Sequence, residues 1–283
     1  HKNLIAEKTA RNYQQEFRKI SMELMDLSTA DEWAAFYQKM IFWELELESQ
    51  VDPGMMEIFE SQIKEANSLF SKFISKSYES WMNDSSIAPE LSHTLFKNKV
   101  KPILKENKPT LLMVIDNLRM DQWKTIEPLL TDFYQKEKEE AYYSILPTAT
   151  QYARNALFSG CTPLKISELY PQWWKNDTDE GGKNLFEKDL LQAQLKRLNI
   201  HGKMSYHKIT NLKNGKLLAK SLSNHKDEKL TAVVYNFVDM ISHAKSEMEI
   251  IKELASDNKA YRSLTASWFK NSPLFEILSE ARK

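Results

Sequence analysis

In the first third of the chain, apolar residues recur with the period of a helix. Tyr13, Phe17, Ile20, Leu24 and Leu27 are spaced by four, three, four and three positions, which places them on one stripe. Ser28 and Thr29 each stand three residues before an acid, Asp31 or Glu32, the signature of a capped helix start. Trp33, Phe36, Met40, Trp43 and Leu47 then repeat the stripe, and Asp52-Pro53-Gly54 breaks it. Met56, Phe59, Ile63, Ala66, Phe70 and Phe73 form a third stripe running towards Trp81, before Asn83-Asp84-Ser85-Ser86. Three long amphipathic helices with short connections predict an antiparallel bundle, with these Met and aromatic positions as its core.

Pro89, Pro102 and Pro109 punctuate a connector, and the pattern then changes. Leu111 to Ile115 is a continuous apolar run of strand length, as expected for a strand covered on both faces of a parallel sheet. Residues 121–136 read as helix, Tyr142 to Leu146 as a second strand and 150–159 as a second helix. Residues 187–198 form another amphipathic helix, and Gly202 to Ile209 and Leu230 to Val238 read as strands. Helical sequence follows near 244–256 and 273–282. Strands alternating with helices predict an α/β domain, so the expected division is 1–107 for bundle and connector and 108–283 for the α/β part.

Composition supports this partition. Six glycines in 283 residues are far below the usual ~7% and disfavour turn-rich β folds, and only Gly54 falls in the first 150 residues. The net charge is zero, with 39 basic and 39 acidic side chains, so the chain lacks the basic footprint of a duplex-DNA binder. A lone Cys161 cannot form an internal disulfide and reads as a packing residue. No secretory segment or long apolar span is present, so membrane insertion is not expected and a soluble, cytoplasmic protein is.

Ligands of open α/β sheets bind beyond the carboxyl ends of the strands. The first strand ends in Asp116 and the fourth in Asp239, with His243 four residues on, so two acids converge on one rim. An Asp and a neutral imidazole in this spacing suit one zinc ion, although an acid closing a strand is often only a helix cap. Between them, Leu146-Pro147-Thr148-Ala149-Thr150 leads into a helix that ends at Ser159-Gly160. A hydroxyl at Thr150 then sits where free N–H groups favour a phosphoryl group; the alternative is that Thr148 or Thr150 merely caps the helix.

The strand ending in Asp116, the Pro-Thr-x-Thr turn with Ser159-Gly160, and the strand ending in Asp239 before His243 together resemble the alkaline phosphatase superfamily, in its PglZ-domain branch. With a helical bundle in front, the chain resembles PorX-type response regulators. The resemblance implies a three-layer, mainly parallel sheet and two zinc ions, with Asp116 and Thr150 as ligands of one and Asp239 and His243 of the other. It implies a zinc-dependent phosphodiesterase acting on nucleotides or oligonucleotides, with Thr150 as the nucleophile that forms a phosphothreonine intermediate. Asn117 and Arg154 lie near enough to contact phosphate oxygens, with a solvated surface role as the alternative. Implied partners are an upstream receiver domain, a histidine kinase, and secretion-system or sigma-factor proteins linked to type IX secretion; the resemblance leaves room for a homodimer.

One departure from the pattern matters. The family completes its site with a later Asp-His pair and a further His, whereas His93, His201, His207 and His225 stand in no such context. The chain is therefore expected to be a fragment lacking the receiver domain and the C-terminal part, and to bind zinc weakly. The competing reading is a signalling adaptor whose PglZ-like domain binds protein partners without catalysis. An aspartyl nucleophile at Asp116 is disfavoured because Leu118 stands where a second acid belongs. Trp173-Trp174, in a polar loop, offers a surface for base stacking or for packing.

Overall fold

The computed structural model describes residues 2–48, 53–236 and 258–283. The chain divides into two compact units, His1–Pro89 and Glu90–Lys283.

The first unit consists of α1 (Lys2–Asp26), α2 (Ala30–Glu48) and α3 (Pro53–Asn83). The apolar stripes meet as its core: Tyr13, Ile20 and Leu24 pack with Trp33, Phe36, Met40, Phe59 and Ala66. The start of α2 carries the expected capping box. Glu32 accepts from the N–H groups of Ser28 and Thr29, and Thr29 Oγ1 accepts from Glu32 N. These bonds hold the Glu32 carboxyl down at about 2.

In the second unit, α4 (Ser92–Leu95), a π turn (Phe96–Val100) and α5 (Lys101–Leu104) lead into β1 (Thr110–Ile115). Phe96 and Leu104 are buried in this unit's core, so the connector packs with it. Then follow α6 (Met120–Ile126), α7 (Thr150–Ser159), α8 (Pro163–Leu169), α9 (Glu187–Arg197), β2 (Met204–Ile209), α10 (Leu212–Ser221) and β3 (Leu230–Tyr235). Helices α11 (Asn258–Lys270) and α12 (Pro273–Ala281) complete it. The sheet is parallel in the order β1-β3-β2, with Ile115 and Ile209 both in register with Tyr235.

Every residue of β3 is buried, as its apolar run requires of a central strand. Ala232 and Val234 face Phe158, Leu190 and Leu191, while Val233 and Tyr235 face Ile209, Phe269 and Leu274. Helices therefore cover both faces, and the expected layered α/β architecture is present.

Three expectations are corrected. Tyr142 to Leu146 is not a strand: Tyr143 makes one parallel bridge to Leu91 and Ile145 is buried, while Tyr142 and Leu146 are exposed, and one bridge does not make a ladder. The helix expected over 121–136 stops at Ile126 and closes in a 3₁₀ turn at Glu127–Leu130, because Pro128 lacks the N–H needed to continue it. Helices α8, α10 and α11 were not anticipated. Asn211 caps α10 by accepting from Asn214 N, and Gly215 lets that helix approach α12: a Cβ there would lie 2.6 Å from Pro273 Cβ. The end of the strand expected over 230–238 and the helix expected near 244–256 lie outside the described residues.

Candidate active site

Asp116 stands at the carboxyl end of β1, where its N–H still donates to the Tyr235 carbonyl at 3.0 Å. Asn117 follows with φ 58, a left-handed conformation that Asn tolerates, and its side chain is exposed. The chain returns to this rim at Thr150, the first residue of α7. Ala149 precedes the helix and no side chain caps it, so the reading of Thr148 or Thr150 as a simple cap does not hold. Thr150 Oγ1 instead lies 3.5 Å from Asp116 Oδ2, at the outer limit of a hydrogen bond.

One helical turn further on, Arg154 projects beneath this pair. The residue is only 5% exposed, which excludes a solvated surface role. Its Nη1 donates to Asp116 Oδ2 at 2.9 Å and to Asn236 Oδ1 at 3.3 Å. Nε and Nη2 grip Glu187 in a two-point pair at 2.5 and 3.1 Å. Burial works against the guanidinium charge, but the bonds and charges of Glu187 and the charge of Asp116 outweigh it and hold the Arg154 pKa above its usual value.

Glu187 was not singled out in the sequence, yet it anchors the group. Its side chain is fully buried and accepts from Tyr206 Oη at 2.5 Å and Asn184 Nδ2 at 3.2 Å. Asn184 Nδ2 also donates to the Thr150 carbonyl at 3.2 Å, so the same support reaches the start of α7. Desolvation, then the Glu187 charge and hydrogen bond, push the Tyr206 phenol up and keep it a donor. Tyr142 lies close enough to feel Asp116: desolvation of its hydroxyl, then the Asp116 charge, raise its pKa, although the residue as a whole is 45% exposed.

Residues 95–282 match the family model of the BREX system PglZ alkaline phosphatase-like domain, and residues 3–82 match that of the PorX response regulator linker domain. The chain belongs to the PglZ family. The order of the two matches is that of a PorX-like effector, a helical linker followed by a phosphatase-like domain. No curated protein matches the chain.

In this PglZ domain, Asp116 and Thr150 present a carboxylate and a hydroxyl to one point, a pair of oxygen donors that fits one side of a divalent cation site. Asp239 and His243 lie outside the described residues. Among the described residues, no group of three or more His, Cys, Asp or Glu side chains is placed to hold a metal ion.

The other candidates are not part of this group. His207 and His225 meet edge to face at 4.7 Å and bond with Ser205 and Glu228, away from Asp116. Trp173 and Trp174 are half-buried against the core of the PglZ domain, which favours the packing alternative over base stacking. The Trp173 face is already taken by Tyr170, stacked at 4.9 Å. Cys161 is buried in the same core. No described helix is long and apolar enough to cross a membrane.

Proposed function

We propose that this PglZ domain is a zinc-dependent phosphodiesterase acting on nucleotides or oligonucleotides, with Thr150 as its nucleophile. It would serve as the output of a response regulator linked to type IX secretion. The observation that carries the reading is the Thr150 hydroxyl, placed 3.5 Å from Asp116 on a helix start that no side chain caps, inside a phosphatase-like family.

A threonine hydroxyl needs an activating partner, because its own pKa lies far above neutrality. Asp116 orients that hydroxyl, and the positive end of α7 favours the phosphoryl group it attacks. Arg154 serves the reaction through Asp116 rather than by touching substrate, since its donors are committed to Asp116, Asn236 and Glu187. Asn117, exposed beside Asp116, is left to contact phosphate oxygens. Asp116 and Thr150 would hold one zinc ion, and Asp239 and His243 the other. Bound there, the ions supply positive charge that offsets the attacking and leaving oxygens.

The match to the PorX linker supports a receiver domain as the input; a histidine kinase that phosphorylates it, and secretion-system or sigma-factor proteins downstream, complete the proposal. Hydrolysis of a dinucleotide by the full-length protein, before and after chelation, tests the chemistry. Activity should vanish on chelation and return with zinc, and hydrolysis that survives complete chelation contradicts the reading.

A further inference from the structure

The amino ends of the three parallel strands meet at the rim of the sheet opposite to Asp116, and they frame a cleft of about 360 Å³. Lys101 and Lys105 reach it from α5, His201 from the turn before β2, and Lys229 from the residue before β3. No acidic residue lines it, and the half-buried Leu198 and Ile200 contribute an apolar floor. The Lys229 stem lies across Gly202, whose φ of 137 and missing Cβ make room for it; a Cβ there would come within 2.9 Å.

None of these cations has a carboxylate partner among the described residues. Lys229 donates to the Asn107 amide at 3.2 Å and His201 meets the Asn199 amide at 2.8 Å. Elsewhere Lys99, Lys124 and Lys136 are each paired with glutamates. The nearest acids in sequence are engaged elsewhere: Glu106 with Lys108, and Glu228 with His225, Ser205 and Thr231. Helices α5 and α9 end at the cleft, and each C-terminus carries up to about half a negative charge. Three lysines outweigh two such ends, so the cleft keeps a net positive field over an apolar floor.

We propose that this cleft binds a small organic polyphosphate of the nucleoside di- or triphosphate class. The phosphates lie among Lys101, Lys105 and Lys229, and the organic body lies on Leu198 and Ile200. A body of that kind fits the cleft volume, and phosphate oxygens supply the anionic partners that the lysines lack. The proposal does not rest on the phosphodiesterase reading, because the site is at the other end of the sheet.

The test is calorimetric titration of ATP, and separately of pyrophosphate, into the 283-residue protein in the presence of EDTA, which removes any cation-dependent binding at the Asp116 rim. Saturable one-site binding of ATP is expected, weaker for pyrophosphate. The combined Lys101→Gln, Lys105→Gln, Lys229→Gln variant should lose at least about tenfold in affinity. The matching Lys→Arg variant should stay close to wild type, and Asp116→Asn should leave ATP binding unchanged. Absence of saturation at roughly 1 mM ATP, a level that any useful affinity exceeds, would overturn the proposal. So would loss of binding in Asp116→Asn, equal losses in the Gln and Arg variants, or equal affinity for ATP and pyrophosphate.

Discussion

In the helical bundle, buried polarity is a neutral knot: Tyr13 Oη donates to Gln62 Oε1 at 3.1 Å, and Gln62 Nε2 donates to Ser21 Oγ at 2.9 Å. In the α/β unit it is ionic, with Arg154 between Asp116 and Glu187, and Arg262 on Asp121. Among the described residues, every buried charged side chain lies in the α/β unit. Burying an ion pair brings little net stability, because desolvation costs about as much as the attraction returns. A fold that needs only packing can leave such pairs out, as the bundle does. On the proposed function, the α/β domain keeps them because Asp116 must be held in one orientation beside Thr150.

The largest effect expected from this contrast is at Glu187. Glu187→Ala leaves the Arg154 guanidinium buried without its two-point partner, which should cost about 3–5 kcal/mol in urea unfolding of the α/β unit. A loss under about 1 kcal/mol, the value for an exposed pair, would erase the distinction between the two units. Next is Gly215→Ala, which drives a Cβ to 2.6 Å from Pro273 Cβ and should destabilise the unit by about 1–3 kcal/mol through overpacking.

The acid response should separate the units as well. Desolvation raises the Asp121 pKa, but its bonds and charges with Arg119 and Arg262 win and hold it below the usual carboxylate range. A depressed carboxyl stabilises the fold above its unfolded pKa of about 4, and that contribution is lost as pH falls through the folded value. Unfolding of the α/β unit followed from pH 6 downwards should therefore show a loss below about pH 4 that Asp121→Asn flattens. Smallest is Tyr13→Phe in the bundle. It removes one donor from a knot whose Gln62 keeps its bond to Ser21, so about 1 kcal/mol is expected, confined to the bundle.

The bundle was legible because each helix buries one stripe, and the periodicity of Tyr13 to Leu27 or Met56 to Phe73 reports that stripe directly. Strands β1 and β3 were legible for a related reason: a strand covered on both faces must be largely apolar, as Leu111–Ile115 is. Tyr142–Leu146 misled because a short apolar run does not say whether a neighbouring strand exists to pair with it.

The proximity of Asp116 and Thr150 at the candidate site could be read because each sits where a strand ends or a helix begins, positions that sequence marks well. The role of Arg154 could not, and neither could Glu187. Their contact spans 33 residues, and Glu187 opens α9, where an acid is ordinarily explained by the helix dipole. A buried ion pair leaves no periodic trace, so only the packed fold brings it to view.

The central claim is that Thr150 carries the reaction, held in place by Asp116 and its Arg154–Glu187 support. It is tested most directly by the rate of dinucleotide hydrolysis in the full-length protein and its Thr150→Ala and Thr150→Ser variants. Loss of the nucleophile should lower kcat by on the order of a thousandfold in Thr150→Ala, while Thr150→Ser, which keeps a hydroxyl, should retain measurable turnover. Equal rates for wild type and Thr150→Ala would contradict the account.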